Sequence, residues 1–388
     1  MTNLKELDKT YIAGTYARFP VELVSGKGSL VLDDNGKEYI DFGCGIAVTG
    51  FGIADSEWVH AVTEQLMTLQ HVSNLYYTSP CVEVAKRICE RTGLKKVFFG
   101  NSGAEANECA IKVARKYASD HGHPEKNVIL TIENSFHGRT LTTLAATGQD
   151  HYHELFQPLT PGFAHIRAND MQHAEELFDT QNVAGVLAEC VQGEGGVIAL
   201  DPEFLQGLSK LCSDHDVLMM IDEVQTGNGR TGTLYAWQQF GFVPDVFTTA
   251  KGLGGGLPIG ACVIGEKAEN VLGPGDHGST FGGNPAVCAG AVSILDRMDE
   301  EFLESVRQKA KYLHEVFSEA EGIEDVSGLG LMIGLKTIRP AKEVVEDCRE
   351  HGVLVLTAKD RVRLLPALNI PTELLVQGAN VILKACKG

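Results

Sequence analysis

The sequence contains no run of basic residues and no long hydrophobic segment. It has 33 Lys and Arg against 51 Asp and Glu, a formal net charge of −18 at pH 7. Proteins that bind nucleic acids cluster Lys and Arg, so this balance argues against a nucleic-acid partner. No apolar stretch approaches the ~20 residues of a transmembrane helix. Residues 1–19 also lack the apolar core of a secretory signal. We therefore expect a cytoplasmic protein with no membrane partner.

Several common site motifs are also missing. The ten cysteines include no C-x-x-C pair, so neither a disulfide framework nor a metal site is indicated, and we expect reduced packing residues. There is no G-x-x-x-x-G-K-[ST], no H-E-x-x-H and no G-x-S-x-G. The dinucleotide fingerprint fails at the glycines after Lys251, because Leu257 and Pro258 follow where a glycine and a helix are required.

Short apolar runs alternate with amphipathic stretches through the middle of the chain. The intervening stretches, such as residues 104–118 and 202–215, have apolar residues at helical spacing. Runs that are apolar at both alternate positions are typical of strands buried on both faces. The pattern predicts an α/β fold with a mainly parallel central sheet covered by helices on both sides. The predicted strands are residues 96–100, 127–133, 185–191, 217–224, 245–250 and 260–265.

The length of 388 residues suggests two or three structural units, at about 150 residues per domain. We expect a large domain over residues 46–290. Residues 291–388 begin with a long helical pattern and continue with strands and a helix, which predicts a smaller α+β domain. Residues 1–45 carry a hairpin pattern with Asn35-Gly36 as its turn, and we expect this segment to pack with the small domain.

Two predicted loops contain groups that could bind an anionic ring compound. Ser102, Gly103 and Ala104 follow a strand and begin a helix, where free backbone N–H groups could hold a phosphate. Phe136 offers a flat face for a ring, and Arg139 offers a planar fork for a carboxylate. Each loop has an ordinary explanation as well, an N-cap with glycine and a packed aromatic beside a surface arginine.

Two charged side chains stand at the ends of apolar strands. Asp222 follows four apolar residues, and a buried aspartate requires a cationic or N–H partner. Lys251 lies between another apolar run and a group of glycines, which allow close approach of the backbone. A satisfied turn cap and a solvated loop lysine are the structural alternatives for these two residues.

Taken together, the four segments supply what pyridoxal phosphate requires. This cofactor needs a phosphate cradle, a stacking surface, a carboxylate at its ring nitrogen and a lysine for its aldehyde. All four segments stand where strands of an open α/β sheet give way to loops, the usual position of ligands.

Six segments, NSGAEANE, SFHGRT, QGEGG, DEVQTGNGRTG, TTAKGLGGGLPIGA and STFGGNP, resemble in order the motifs of class III aminotransferases of fold type I. The resemblance covers nearly the whole chain. FGCGIAVTGFG, HVSNLYYTSP and GVLVLTAKDRVRLLPALNI are most similar to the acetylornithine aminotransferases. The chain departs from the family at Cys190, where proline is usual, and at Asn228, where an apolar or small residue is more common.

The resemblance implies a role for each matching residue. Lys251 would bind the cofactor covalently, and Asp222 would pair with its ring nitrogen. Arg139 would bind the α-carboxylate of the amino donor, and Arg363 a carboxylate of 2-oxoglutarate or glutamate, with Glu194 neutralising Arg363 while the donor is bound. Ser279 would lie near the substrate, and Thr280 would reach the phosphate of the neighbouring subunit in a homodimer. The remaining cofactor contacts would be Ser102, Gly103, Ala104, Phe136, Glu223, Val224 and Gln225.

The implied reaction is transfer of the δ-amine of N2-acetylornithine to 2-oxoglutarate, giving N-acetylglutamate 5-semialdehyde and glutamate. Other ω-amine donors remain open, namely succinylornithine, ornithine, 4-aminobutyrate or an acetyl-lysine-type compound. An aminomutase with the same cofactor would need no 2-oxoglutarate. A non-catalytic binding protein would have no need of Lys251, Asp222 and Arg139 together.

Overall fold

A seven-stranded sheet forms the centre of the protein in the computed structural model, which describes residues 4–388. Gly260–Ile264 runs antiparallel to both neighbours, and the other four neighbouring pairs are parallel, so the prediction of a mainly parallel sheet is confirmed. The edge strand Phe163–Ile166 was not predicted from the sequence. In spatial order the strands are Lys96–Gly100, Gly260–Ile264, Val246–Thr249, Leu218–Asp222, Val183–Ala188, Val128–Ile132 and Phe163–Ile166.

The central strands are buried because helices cover both faces of the sheet. Every residue of Val183–Ala188, Leu218–Asp222 and Val246–Thr249 is buried. Burial on both sides explains why these strands are apolar at successive positions. The helices of this unit are Ser56–Thr68, Ser79–Thr92, Gly103–Asp120, Leu141–Ala146, Met171–Thr180, Pro202–Asp214 and Pro285–Asp296. Short 3-10 turns lie at Asp150–Tyr152, Ala236–Gln239, Lys251–Leu253 and Glu266–Ala268. A two-stranded sheet consists of Val191–Gln192 and Ile198–Ala199.

The C-terminal part of the chain forms a second, antiparallel sheet with helices. The long helical pattern that begins at Ala291 is divided in two, because Asp299 caps a new helix by accepting a hydrogen bond from the N–H of Phe302 at 2.8 Å. The predicted division after residue 290 falls inside Pro285–Asp296, and it stays a prediction. The elements here are the strands Ile323–Leu329, Met332–Thr337, Leu356–Ala358 and Arg361–Leu364 and the helices Glu300–Ser318, Ala341–Glu350 and Thr372–Lys387.

The N-terminal segment joins this second unit through backbone pairing. Gly36, with a φ of +79°, turns the chain between two strands of the hairpin that Asn35-Gly36 predicted. The strand Val353–Leu354 extends the N-terminal sheet by pairing in parallel with its last strand. The elements are the helix Leu4–Tyr11 and the strands Leu23–Lys27, Leu30–Asp33 and Glu38–Asp41. Residues 1–3 of the segment predicted to be 1–45 lie outside the described range.

Candidate active site

A cavity of about 490 Å³ opens at the carboxyl ends of the central parallel strands. Such a position is the usual ligand site of an open α/β sheet. Most of the residues predicted for cofactor binding line it, as do several that the sequence analysis did not select. Its walls include Val48, Asn101, Ser102, Gly103, Ala104, Asn107, Phe136, His137, Gly138, Arg139, Glu189, Asp222, Val224, Gln225, Ala250 and Lys251.

Lys251 enters the cavity from the end of the strand Val246–Thr249. Its backbone has a φ of +44°, an uncommon conformation for a residue with a side chain. Burial lowers the pKa of Lys251, an effect that Glu194 and Asp222 oppose through their negative charges. A lowered pKa increases the share of neutral amine, the form that can act as a nucleophile or a base.

Asp222 is only 4% exposed, and three groups satisfy its carboxylate. One oxygen accepts a hydrogen bond from the side-chain amide of Asn107 at 2.7 Å and lies 2.8 Å from Nδ1 of His137. The other accepts from the backbone N–H of Val224 at 2.9 Å. The expectation of a partnered carboxylate at the end of a buried strand is therefore confirmed.

The residues that hold Asp222 were not predicted as site residues. The sequence indicated only a structural or supporting role for His137, and Asn107 is one polar residue within an otherwise apolar helix face. A buried asparagine on such a face requires a hydrogen-bond partner, and this signal could have identified Asn107. Glu189 was missed as well. Its carboxylate lines the cavity and accepts from the N–H groups of Phe136 at 3.0 Å and Gly193 at 3.3 Å.

The loop predicted as a phosphate cradle, before helix Gly103–Asp120, lines the cavity. Ser102 is the N-cap, and its hydroxyl accepts a hydrogen bond from the N–H of Glu105 at 3.2 Å. The first N–H groups of a helix have no partner within it, and here the residues that begin the helix, Gly103 and Ala104, line the cavity. A side chain at Gly103 would not fit, because its Cβ would lie 2.7 Å from a methyl group of Val224. Glycine at this position therefore lets the loop pack closely against Val224.

An aromatic wall and an exposed arginine form another side of the cavity. Phe136 and Val224 both line it, as the two predicted ring contacts should. The guanidinium of Arg139 lies 4.1 Å from the ring centroid of Tyr152 and 5.4 Å from that of Phe136. Such stacking holds the planar group in place and leaves its N–H groups available for a carboxylate.

Arg363 and Glu194 form the predicted ion pair beside the cavity, with 2.5 Å between Nη1 and Oε1. Arg363 is 3% exposed, and its Nη1 also donates to the side-chain oxygen of Gln225 at 3.2 Å. Burial alone would raise the pKa of Glu194, but the charge and hydrogen bond of Arg363, together with Lys251 and Gln225, outweigh it and the pKa is lowered. Gln225 thus joins the cavity to the ion pair.

Besides Glu194 and Arg363, three predicted residues lie away from the cavity wall. Glu223 points into the core, where its carboxylate accepts from Thr226 Oγ1 at 2.6 Å and from the N–H of Trp237 at 2.8 Å. The structure thus does not bring its side chain to the cofactor site, because side chains alternate at the end of a strand and Asp222 takes the cavity side. Ser279 is half-buried and its hydroxyl accepts from Asn101 at 3.1 Å, whereas Thr280 is exposed.

The two departures from the family pattern are both buried. Cys190 is fully buried next to Glu189, and burial raises its pKa well above the ordinary thiol value. Asn228 has a φ of +58°, which asparagine tolerates better than most residues. Its amide donates to Thr249 Oγ1 at 2.9 Å and to the carbonyl of Ala250 at 3.2 Å, so it fixes the end of the strand that leads to Lys251.

Metal and membrane features are not part of the described chain. Across residues 4–388, no three His, Cys, Asp or Glu side chains come together in a way that could hold a metal ion. None of the helices in this range combines the length and the apolar character needed to traverse a bilayer.

Comparisons with known proteins agree with the site. The family described as "Aminotransferase class-III" matches residues 11–386. The acetylornithine aminotransferase of Haemophilus ducreyi is 48% identical over 381 residues, 98% of this chain and 97% of that protein. A solved N-acetylornithine aminotransferase from Stenotrophomonas maltophilia superposes with a TM-score of 0.84 at 35% identity, covering 98% of this chain and 97% of the other.

A further solved structure with a similar fold is described together with the cofactor pyridoxal phosphate. The ornithine aminotransferase from Toxoplasma gondii, described with partial occupancy of pyridoxal phosphate at its active site, superposes with a TM-score of 0.93 at 31% identity. The superposition covers 99% of this chain and 94% of the other. With a family match over nearly its whole length and a relative 48% identical, the chain belongs to the class III aminotransferases.

Proposed function

We propose that this protein transfers the δ-amine of N2-acetylornithine to 2-oxoglutarate with pyridoxal phosphate as cofactor. The observation that carries the proposal is that one cavity contains Lys251 and Asp222 and adjoins the Arg363–Glu194 ion pair. The cofactor requires a lysine for its aldehyde and a carboxylate for its ring nitrogen, and Lys251 and Asp222 are these two groups. The ion pair provides an arginine that can be neutralised for one substrate and freed for the other, which an enzyme with two chemically different substrates requires. The similarity to acetylornithine aminotransferases over the whole chain supports the choice of donor.

The walls of the cavity fit the cofactor. The phosphate would bind at the N–H groups of Gly103 and Ala104, where a Cβ on Gly103 would collide with Val224. The ring would lie between Phe136 and Val224, its nitrogen toward the carboxylate of Asp222. When bound, the cofactor supplies an electron-accepting ring that stabilises charge at the carbon bearing the amine.

Asp222 and Lys251 would then act at opposite ends of this ring. Asn107 and His137 hold the carboxylate of Asp222 in a fixed position in the protein interior, where a charge interacts strongly with a cationic partner. Nζ of Lys251 would bind the cofactor between turnovers and carry the proton during amino transfer, which its lowered pKa favours.

Two arginines would give the pocket its substrate preference. Arg139 is exposed and aimed by its aromatic neighbours, so it can bind the carboxylate of the amino donor. Arg363 is neutralised by Glu194 in the described structure, which suits a donor whose reacting end is an uncharged chain with an amine. Movement of Glu194 would free Arg363 for the second carboxylate of 2-oxoglutarate or glutamate.

Free ornithine is the second donor to consider, because the solved ornithine aminotransferase superposes closely on this fold. The test is a comparison of kcat/KM for acetylornithine, succinylornithine, ornithine and 4-aminobutyrate, each with saturating 2-oxoglutarate. We expect acetylornithine to be preferred. A clearly higher kcat/KM for ornithine or 4-aminobutyrate would contradict the proposed donor, and turnover without 2-oxoglutarate would indicate a mutase.

We also propose a homodimer in the cytoplasm. Thr280 is exposed and next to Ser279, and several large apolar side chains nearby, including Leu75, Tyr77 and Phe281, are exposed in the single chain. An apolar surface of this kind fits contact with a second copy. Analytical ultracentrifugation of the purified protein would test the dimer.

The cysteines support the cytoplasmic location. Ten free cysteines, eight of them buried, are consistent with a reducing compartment.

A further inference from the structure

Four consecutive residues, Cys44–Ala47, have positive φ angles of 46°, 61°, 65° and 61°. We call this segment the left-handed turn. Only Gly45 adopts such angles without steric cost, and for the β-branched Ile46 the conformation is a clear outlier. Strain of this kind persists only where the surrounding structure imposes it, and it is concentrated at functional sites. The left-handed turn therefore calls for a functional explanation.

Asp41 holds the start of the left-handed turn. A single oxygen of its carboxylate accepts hydrogen bonds from the N–H groups of Gly43 at 2.8 Å and Cys44 at 2.9 Å. The turn closes where the carbonyl of Cys44 accepts from the N–H of Val48 at 2.8 Å. Asp41 is itself fixed, because it ends a strand and pairs with Leu354 of the C-terminal unit.

The left-handed turn leads directly to two parts of the candidate active site. Val48, the next residue, lines the cavity. On its other side the turn lies against the residue that follows Lys251, since a Cβ on Gly252 would lie only 3.5 Å from the carbonyl oxygen of Ala47. The left-handed turn thus lies beside the backbone at Lys251, which also has a positive φ.

We propose that Asp41 is a positioning residue for amino transfer. Through the left-handed turn it holds Val48 at the cavity wall and supports the backbone of Lys251 and Gly252. The proposal rests on the proposed function, because it assumes a reaction at Lys251. A reacting group displaced by about 1 Å can cost up to about a hundredfold in rate, so the loss of this support should be measurable.

The chain provides a matched control in Asp33. One oxygen of Asp33 also accepts from two backbone N–H groups, those of Asn35 and Lys37, both at 2.9 Å. These bonds hold the N-terminal hairpin, and Asp33 does not line the cavity. Asp41→Ala and Asp33→Ala therefore remove equivalent backbone hydrogen bonds, but only the first removes them from the left-handed turn. Asp33→Ala also removes the acceptor of the Tyr39 hydroxyl at 3.1 Å, so the control loses no fewer hydrogen bonds than the test variant.

The experiment compares these variants in kinetics and in hydrogen exchange. We expect Asp41→Ala to lower kcat for acetylornithine about tenfold or more, with KM changed less than about threefold, because positioning and not binding is lost. Asp41→Asn keeps an acceptor oxygen and should retain most of kcat. Asp33→Ala should retain kcat, and amide exchange over residues 43–49 should accelerate only in Asp41→Ala.

A second variant covers the case in which Asp41→Ala fails to fold. Gly45 is exposed, and a Cβ there would lie 3.7 Å from its nearest neighbour, the Cβ of Val48, so Gly45→Ala causes no collision while it adds the steric cost of a positive φ to the left-handed turn. We expect a folded protein whose kcat falls about fivefold or more. Full kcat in Gly45→Ala or in Asp41→Ala, or an equal loss in Asp33→Ala, would overturn the proposal.

An affinity measurement separates this proposal from the proposed function. If the wild type transfers no amine from any donor, the proposed function fails. The affinity for pyridoxal phosphate, measured by absorbance titration, would then still test Asp41, since a displaced Lys251 should bind the cofactor about tenfold or more weakly. Unchanged affinity in Asp41→Ala would count against the positioning role.

Discussion

Nδ1 of His137 lies 2.8 Å from the carboxylate of Asp222, in the protein interior. Asn107 donates to the same carboxylate oxygen, and Asn107 itself accepts from Thr248 Oγ1 at 2.6 Å. A loop, a helix and two neighbouring strands therefore share one network around Asp222. Because such a network leaves the carboxylate little freedom, Asp222 is already in place before any ligand binds.

Asn107→Ala should lower both the free energy of unfolding and the affinity for pyridoxal phosphate. The variant leaves Asp222 with one fewer donor and Thr248 without its acceptor, and we expect a stability loss of about 1–3 kcal/mol. Thr248→Val, which removes only the outer bond, should cost less. Urea unfolding and absorbance titration with pyridoxal phosphate measure the two effects. Equal cofactor affinity in wild type and Asn107→Ala would show that the network does not position Asp222.

Lys251→Met should be more stable than the wild type when both lack the cofactor at pH 7. Burial lowers the pKa of Lys251 below its value of ~10.4 in the unfolded chain. The cost of the buried ammonium is fully present below the folded pKa and disappears as the pH rises past the unfolded value. Thermal unfolding from pH 7 to 10 should show that the difference in stability between Lys251→Met and the wild type becomes smaller as the pH rises.

The control for Lys251→Met is Lys86→Met. The side chain of Lys86 is 58% exposed, and we expect no comparable gap at pH 7. If Lys251→Met were less stable than the wild type at pH 7, or if its gap widened with pH, burial of the lysine would not be the cause of its lowered pKa.

Glu194→Gln should separate the two half-reactions. Without Glu194 the buried guanidinium of Arg363 is left uncompensated during donor binding, so kcat/KM for acetylornithine should fall about ten- to a hundredfold. kcat/KM for 2-oxoglutarate should change far less, because Arg363 is free in that half-reaction. Rapid-mixing measurements of each half-reaction provide the numbers. Glu304→Gln, which removes a surface partner of Arg307, is the control.

The pH dependence of the same variant provides an independent readout. The pKa of Glu194 is lowered overall, because Arg363, Lys251 and Gln225 together outweigh the effect of burial. A carboxylate with a lowered pKa contributes stability above its unfolded value of ~4.3 and loses it as the pH falls through the folded value. The stability difference between wild type and Glu194→Gln should therefore be constant from pH 8 to pH 5 and close below that range.

Mixed dimers test whether Thr280 serves the neighbouring subunit. A dimer of one Lys251→Ala chain and one Thr280→Ala chain has one fully intact site if Thr280 acts across the interface. It has no intact site if Thr280 acts within its own chain. We expect the mixed dimer to recover about half of the wild-type activity at limiting pyridoxal phosphate. Activity no higher than that of the parent homodimers would contradict a shared site.

Local sequence patterns predicted those parts of the site that depend on one strand and the loop after it. Asp222 and Lys251 each follow an apolar strand, and in a mainly parallel sheet such strand ends meet at one edge. The glycine at 103 could likewise be recognised as a point of close approach. These residues were predictable because each lies within a few positions of the apolar strand or turn that indicates its role.

Features that depend on distant contacts were not predictable in the same way. The antiparallel pairing of Gly260–Ile264 with Lys96–Gly100 joins segments far apart in the chain, so no local pattern indicates it. Glu223 has as much charge as Asp222, and only the alternation at the strand end sends it into the core. Asn107 and His137 acquire their roles from Asp222, which is 115 and 85 positions away.

The most direct test of the account is a spectroscopic titration of the purified protein loaded with pyridoxal phosphate. Acetylornithine added alone should remove the visible absorption of the bound cofactor, and 2-oxoglutarate added afterwards should restore it with release of one glutamate per site. Lys251→Ala should complete no such cycle. A wild-type spectrum that acetylornithine leaves unchanged, or that 2-oxoglutarate fails to restore, would contradict the proposed reaction.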